Sequence, residues 1–138
     1  MNKLGKHLAE LTAAAATLAA PNLLGAEAWA VPQNAAGQKN PLSGDTIAIG
    51  QGRRIYEDRC ADCHGDKGKG DGPAATDLDP KPGDLSKPSL REQPDGVLFW
   101  KISEGKKPMP PYKTKLSEEQ RWQTVNYIRT LATKSQTK

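Results

Sequence analysis

The chain has little from which to build an apolar core: aromatic residues make up 5% of it, with 1 Phe among them, and mean hydropathy is -0.72. Glycine and proline are plentiful instead, at 13 and 11 residues. Such a chain struggles to offset its ordering entropy with side chains alone. Either it is largely disordered or a bound group supplies the missing apolar bulk. Cysteine is scarce too, with 2 residues, Cys60 and Cys63, and so are histidine (His7 and His64) and methionine (Met1 and Met109), with 2 of each. No repeat and no convincing strand pattern is present, and 138 residues leave room for one compact domain.

Long apolar runs are missing beyond the N-terminus. Residues 1–30 carry a short basic start at Lys3 and Lys6, an Ala/Leu-rich stretch to Leu24, and Ala28-Trp29-Ala30 as a small-x-small cleavage site. This predicts a secretory signal cut after Ala30, and hence a periplasmic protein. Glu10 and Pro21 interrupt the apolar stretch, which favours cleavage over a retained anchor, and an integral membrane protein is not expected. Residues 31–43 are Pro, Gln, Asn, Ala and Gly without periodicity, which predicts a flexible, extended leader, either a free tail or a docking arm. The domain proper is expected over 44–138.

Inside that domain the pattern is helical. Asp45 can cap a first helix in which Ile47, Ala48, Ile55 and Tyr56 recur at helical spacing. Residues 66–88 form a long loop rich in Gly, Pro, Asp and Lys, a length that usually wraps something. Pro94-Asp95 opens a short helix with Leu98, Phe99 and Ile102 inward, closed by Gly105. Ser117 and Gln120 form a capping box for a last helix whose apolar face is Trp122, Val125, Ile128 and Leu131.

Between the first helix and the loop stands Cys60-Ala61-Asp62-Cys63-His64, the C-x-x-C-H spacing of covalent haem c attachment. On one helical turn, residues three and four apart share a face, so two thiols can add to the two vinyl groups while the imidazole points at iron. A redox disulfide expects a preceding strand and a βαβ surround, and a zinc site lacks a fourth ligand. A structural disulfide leaves His64 unexplained. The second ring nitrogen of His64 needs an acceptor, and a backbone carbonyl near Gly72-Pro73 is the candidate, which makes Pro73 a cofactor-contacting residue. With His7 in the signal and Met1 the initiator, Met109 is the soft sixth ligand left, on a hook stiffened by Pro108, Pro110 and Pro111. The plain alternative is that Met109 fills a gap in a Pro-rich turn.

Together, Cys60-Ala61-Asp62-Cys63-His64, Pro108-Met109-Pro110, Gly52 with Tyr56, and Trp122 to Tyr127 resemble the class I c-type cytochromes over about residues 44–131. The loop Gly68-Lys69-Gly70-Asp71-Gly72-Pro73-Ala74-Ala75, followed by Pro80-Lys81-Pro82, is similar to one in many bacterial members. The resemblance implies an all-α fold of three to five short helices around one haem, with first and last helices crossing where Gly52 meets the last helix near Tyr127. It also implies that Trp100 and Tyr112 either donate to a haem propionate or belong to the core. The function implied is one-electron transfer rather than enzyme catalysis. The chain is then a diffusible carrier between periplasmic enzymes or membrane complexes, or a cytochrome subunit bound to one dehydrogenase. A haem enzyme or sensor with a labile Met109 is the remaining alternative.

The formal net charge is +4. Lys67 and Lys69 follow the motif, and Lys101, Lys106, Lys107, Lys113 and Lys115 surround Met109 in the sequence. They can steer redox partners with acidic docking surfaces, or form a generally solvated face. Clustered aromatics are lacking, and nucleic acid is not an expected partner.

Overall fold

A computed structural model describes residues 29–134, so the expected signal lies outside the described residues apart from Trp29 and Ala30. Six α-helices follow in order: α1 Gln33–Ala36, α2 Thr46–Arg59, α3 Ala61–His64, α4 Ser89–Glu92, α5 Asp95–Glu104 and α6 Glu118–Lys134, with a 3-10 turn at Pro73–Asp77. No strand forms among the described residues; Lys106 and Met109 share one isolated antiparallel bridge. The three to five helices expected become six because α1, α3 and α4 are single turns that a periodicity of 3.6 cannot register in four residues.

The helix ends follow local chemistry. Asp45 accepts from the N–H groups of Ile47 and Ala48 at 2.8 and 3.1 Å, which satisfies the donors left open at the start of α2. At α6 the capping box closes reciprocally, Gln120 N–H onto Ser117 Oγ at 3.1 Å and Ser117 N–H onto Gln120 Oε1 at 2.9 Å. Gly105 ends α5 with φ at 62°, in the left-handed region.

The most extensive helix packing is α2 on α6. Gly52 makes it possible, because a Cβ there would overlap the backbone carbonyl of Gln123. The expected meeting point near Tyr127 is thus displaced by one helical turn; Tyr127 packs instead on Tyr56, ring centroids 5.2 Å apart. Phe99 of α5 stacks on Trp122 of α6 at 3.9 Å. Around these rings Leu98, Ile102, Val125, Ile128 and Leu131 complete a small buried core.

Residues 31–43 differ from the extended leader expected. They fold back over α5 and α6, with Ala35 buried and its carbonyl lying where a Gly96 Cβ would be. Asn40 Nδ2 donates to Asp95 Oδ2 at 3.0 Å and Asn126 Oδ1 at 2.6 Å, and Asn126 Nδ2 donates to the Leu42 carbonyl at 2.5 Å. Side-chain amides thus supply the anchoring that the segment's missing apolar periodicity left unforeseen.

Candidate functional site

The site starts from the end of α2. Tyr56 is fully buried, and its hydroxyl donates to the Gly65 carbonyl at 2.7 Å, tying α2 to the far end of the next turn. Cys60 N–H bonds Tyr56 O at 2.8 Å, Cys63 and His64 both bond the Cys60 carbonyl, and the three side chains therefore leave one helical turn together. Gly65 has φ at 79°, and a Cβ there would overlap the Asp71 carboxylate.

Both cysteines are free thiols and half-buried, and Cys60 packs at the edge of the core. Burial, with Cys63 and Asp58 beside it, pushes the Cys60 thiol up to about 12. His64 is held below its ordinary value by burial, against which the Gly83 carbonyl acts. Its Nδ1 lies 3.2 Å from Gly83 O. With Nδ1 carrying the proton, Nε2 keeps its lone pair for a metal.

The acceptor expected near Gly72-Pro73 is therefore Gly83. Gly72 does the opposite: its N–H donates to the Cys63 carbonyl at 3.2 Å, and it lies so close that a Cβ would overlap the carbonyls of Ala61 and Asp62. Pro73 starts the 3-10 turn behind the α3 backbone, beside Ala61 and Gly65. Nothing local separates Gly72-Pro73 from Pro82-Gly83 as the source of the acceptor carbonyl, since each is a Gly/Pro pair in a loop.

Met109 sits on a tight turn closed by Lys106 N–H to Met109 O at 3.1 Å and Met109 N–H to Lys106 O at 2.8 Å. The limb leaving this turn is pinned to α5 by Tyr112 N–H on Ile102 O at 3.1 Å and Lys113 N–H on Ser103 O at 3.0 Å. Its side chain is partly buried against the same core that Cys60 borders.

The remaining candidates divide. Tyr112 is buried and donates to the Arg59 carbonyl at 2.8 Å, so its one proton has a backbone partner and its ring packs in the core. Tyr112→Phe should therefore cost about 1 kcal/mol in urea denaturation and leave the reduction potential in place; a potential that moved with stability intact would return the hydroxyl to the haem. Trp100 meets the ring of Trp29 edge-on at 6.3 Å on the side of α5 that faces the N-terminal segment, and it lines a groove there with Pro32 and Ala35. Among the lysines, Lys101 is half-buried and bonds Gln93 at 2.6 Å, and Lys113 pairs with Glu104 at 3.2 Å. Lys67, Lys69, Lys107 and Lys115 are exposed.

A wholly helical fold with a buried small-residue helix crossing, free thiols three apart, an adjacent oriented imidazole and a turn-held thioether defines a class I c-type cytochrome domain. Residues 48–128 match the family described as cytochrome c oxidase, cbb3-type, subunit III, and the chain belongs to that family. Covalent haem c and electron transfer by haem come with it. Among solved structures, the chain is similar to a chain of the Kuenenia stuttgartiensis reducing HAO-like protein complex, with 29% identity and a TM-score of 0.59. That match covers 70% of this chain and 48% of the other, so this chain spans about half its relative's length. No curated protein matches the chain. The residues suit the cofactor on their own terms: the thiols are unbridged, and the His64 ring is already oriented by a carbonyl. No helix among the described residues is long and apolar enough to cross a membrane.

Proposed function

We propose that this chain is an exported one-electron carrier in which Cys60 and Cys63 hold haem c and His64 and Met109 are its axial ligands. Haem supplies the Fe(II)/Fe(III) couple; the chain supplies everything that shapes it. His64 donates a neutral nitrogen whose orientation the Gly83 carbonyl maintains. Met109 contributes a soft thioether, which stabilises Fe(II) and raises the potential. The observation that carries this reading is the Lys106–Met109 turn, closed by its own backbone bonds and bracketed by prolines. A side chain that merely filled a gap needs no such turn. A closed coordination sphere suits electron transfer and disfavours catalysis at the iron.

Absorbance spectroscopy of the purified protein tests the assignment. The reduced haem c bands report attachment, and the weak sulfur-to-iron band of the oxidised form reports Met109. The exposed Lys67, Lys69, Lys107 and Lys115 support docking to acidic redox partners. Bimolecular electron-transfer rates with such a partner should fall several-fold between about 10 mM and 150 mM salt as the Debye length shortens from about 30 to 8 Å. Rates indifferent to salt would remove the lysines from the docking face.

A second reading, a cytochrome subunit bound to one enzyme, is favoured by the similarity to a chain of an HAO-like complex. Co-purification of a stable complex from native membranes or periplasm decides between a bound subunit and a free carrier.

A further inference from the structure

The loop over residues 66–88 closes around His64 from two sides. Gly70 N–H donates to the His64 carbonyl at 2.8 Å, while the Gly83 carbonyl faces His64 Nδ1 at 3.2 Å. The two limbs of the loop are themselves joined: Leu85 N–H donates to Gly68 O at 2.6 Å, and a Cβ on Gly70 would overlap the Pro82 carbonyl. Within this enclosure Gly83 is the loosest member. It is exposed, has no side chain, and has nothing within 4 Å of its Cβ position. What fixes it is the residue that follows. The Gly83 carbonyl and the Asp84 N–H share one peptide plane, so the direction of that carbonyl is set by how Asp84 is held. Asp84 Oδ1 accepts from Ser86 N–H at 2.8 Å and from Ser86 Oγ at 2.6 Å, and Ser86 is 5% exposed. An Asp two residues before its backbone partner forms a local turn that imposes its own geometry on the chain.

We infer that Asp84 is a positioning residue: through its turn onto Ser86 it keeps the Gly83 carbonyl on His64 Nδ1 and thereby sets the electron density that the imidazole offers to iron. The inference rests on His64 being an axial ligand, as proposed above. A proton held by a carbonyl makes the imidazole a stronger donor, which favours Fe(III); releasing it favours Fe(II). Nothing is transferred or broken in this role. Asp84 acts only through the backbone of its neighbour.

The test is a set of reduction potentials on the holoprotein, with proton NMR of the His64 Nδ1–H. Asp84→Ala is expected to shift the redox equilibrium about tenfold toward Fe(II), about 59 mV for one electron, and to speed exchange of the Nδ1 proton with solvent. Loss of a negative charge would shift the potential in the same sense, so Asp84→Asn is the control. It removes the charge but retains an amide oxygen to accept from Ser86, and should stay within about twofold of the unaltered protein. Ser86→Ala keeps the charge, loses one of the bonds, and should move the potential in the direction of Asp84→Ala by less. An unmoved potential in Asp84→Ala, or an Asp84→Asn shift equal to it, overturns the inference. If Asp84→Ala fails to mature, Ser86→Ala decides alone: a shift with faster Nδ1 exchange supports the role, and silence overturns it. Failure of the ligand assignment is seen separately, as a missing His/Met signature in the unaltered protein.

Discussion

Met109→Ala should abolish the sulfur-to-iron absorption of the oxidised protein and lower the reduction potential by on the order of a hundred millivolts or more, a sizeable share of the about 0.8 V over which axial ligands set haem potentials. The cause is the chemistry of the lost donor. A neutral, polarisable thioether favours Fe(II), and Ala offers no donor atom at all. The fold should survive, which makes the effect readable. Met109 is only partly buried, and its turn is closed by backbone bonds between residues 106 and 109 that do not involve the side chain. The limb that follows the turn remains tied to Ile102 and Ser103 through Tyr112 and Lys113. Far-ultraviolet circular dichroism should therefore be unchanged while the visible spectrum changes. An unaltered spectrum in this variant would refute Met109 as ligand and turn attention to an open iron site with catalytic or sensing chemistry.

How much of this was legible before any coordinates follows the range of the interactions. The caps at Asp45 and Ser117, the stop at Gly105 and the thiol-imidazole turn at Cys60–His64 depend on residues within four positions of one another, and each stands where the pattern placed it. The docking of residues 31–43 depends on Asn40 reaching Asp95 and Asn126, 55 and 86 positions away. Amide-to-amide anchoring leaves no periodic trace, so a segment held that way looks structureless in sequence. The acceptor for His64 failed to be legible for a related reason. Both Gly72 and Gly83 lie in the same loop; the pairing of Leu85 with Gly68 and the closeness of Gly70 to Pro82 bring the second limb up to His64, and the turn of Asp84 onto Ser86 aims the Gly83 carbonyl. Composition left two readings, a largely disordered chain or a core completed by a bound group, and it gave no hint of the carbonyl that orients His64. Arg121 belongs with the unforeseen residues as well: it is buried, stacks over Phe99 at 4.5 Å, and bonds the Ser103 hydroxyl.

Two glycines of α2, two residues apart, should respond to the same substitution with opposite signs. Gly50 is exposed and nothing lies within 4 Å of its Cβ position, so Gly50→Ala should stabilise the protein by about 0.5–1 kcal/mol through helix propensity alone. Gly52 faces α6, where a Cβ would overlap the carbonyl of Gln123 and crowd the peptide that follows it. The obstacle is helix backbone, which cannot swing aside as a side chain would. Gly52→Ala must therefore push α2 off α6, loosening the Tyr56–Tyr127 contact and the 2.8 Å bond from Gln123 to Gln51. Overpacking of this kind should cost about 3 kcal/mol, more than the propensity gained. Because Cys60 is tied through its N–H to Tyr56, the displacement travels to the attachment turn, and the yield of haem-loaded protein should fall together with the urea midpoint. Gly50→Ala should leave that yield unaltered. A Gly52→Ala protein as stable and as fully loaded as the Gly50→Ala protein would mean that the helix crossing tolerates a wider approach, and that Gly52 is present for a reason other than packing.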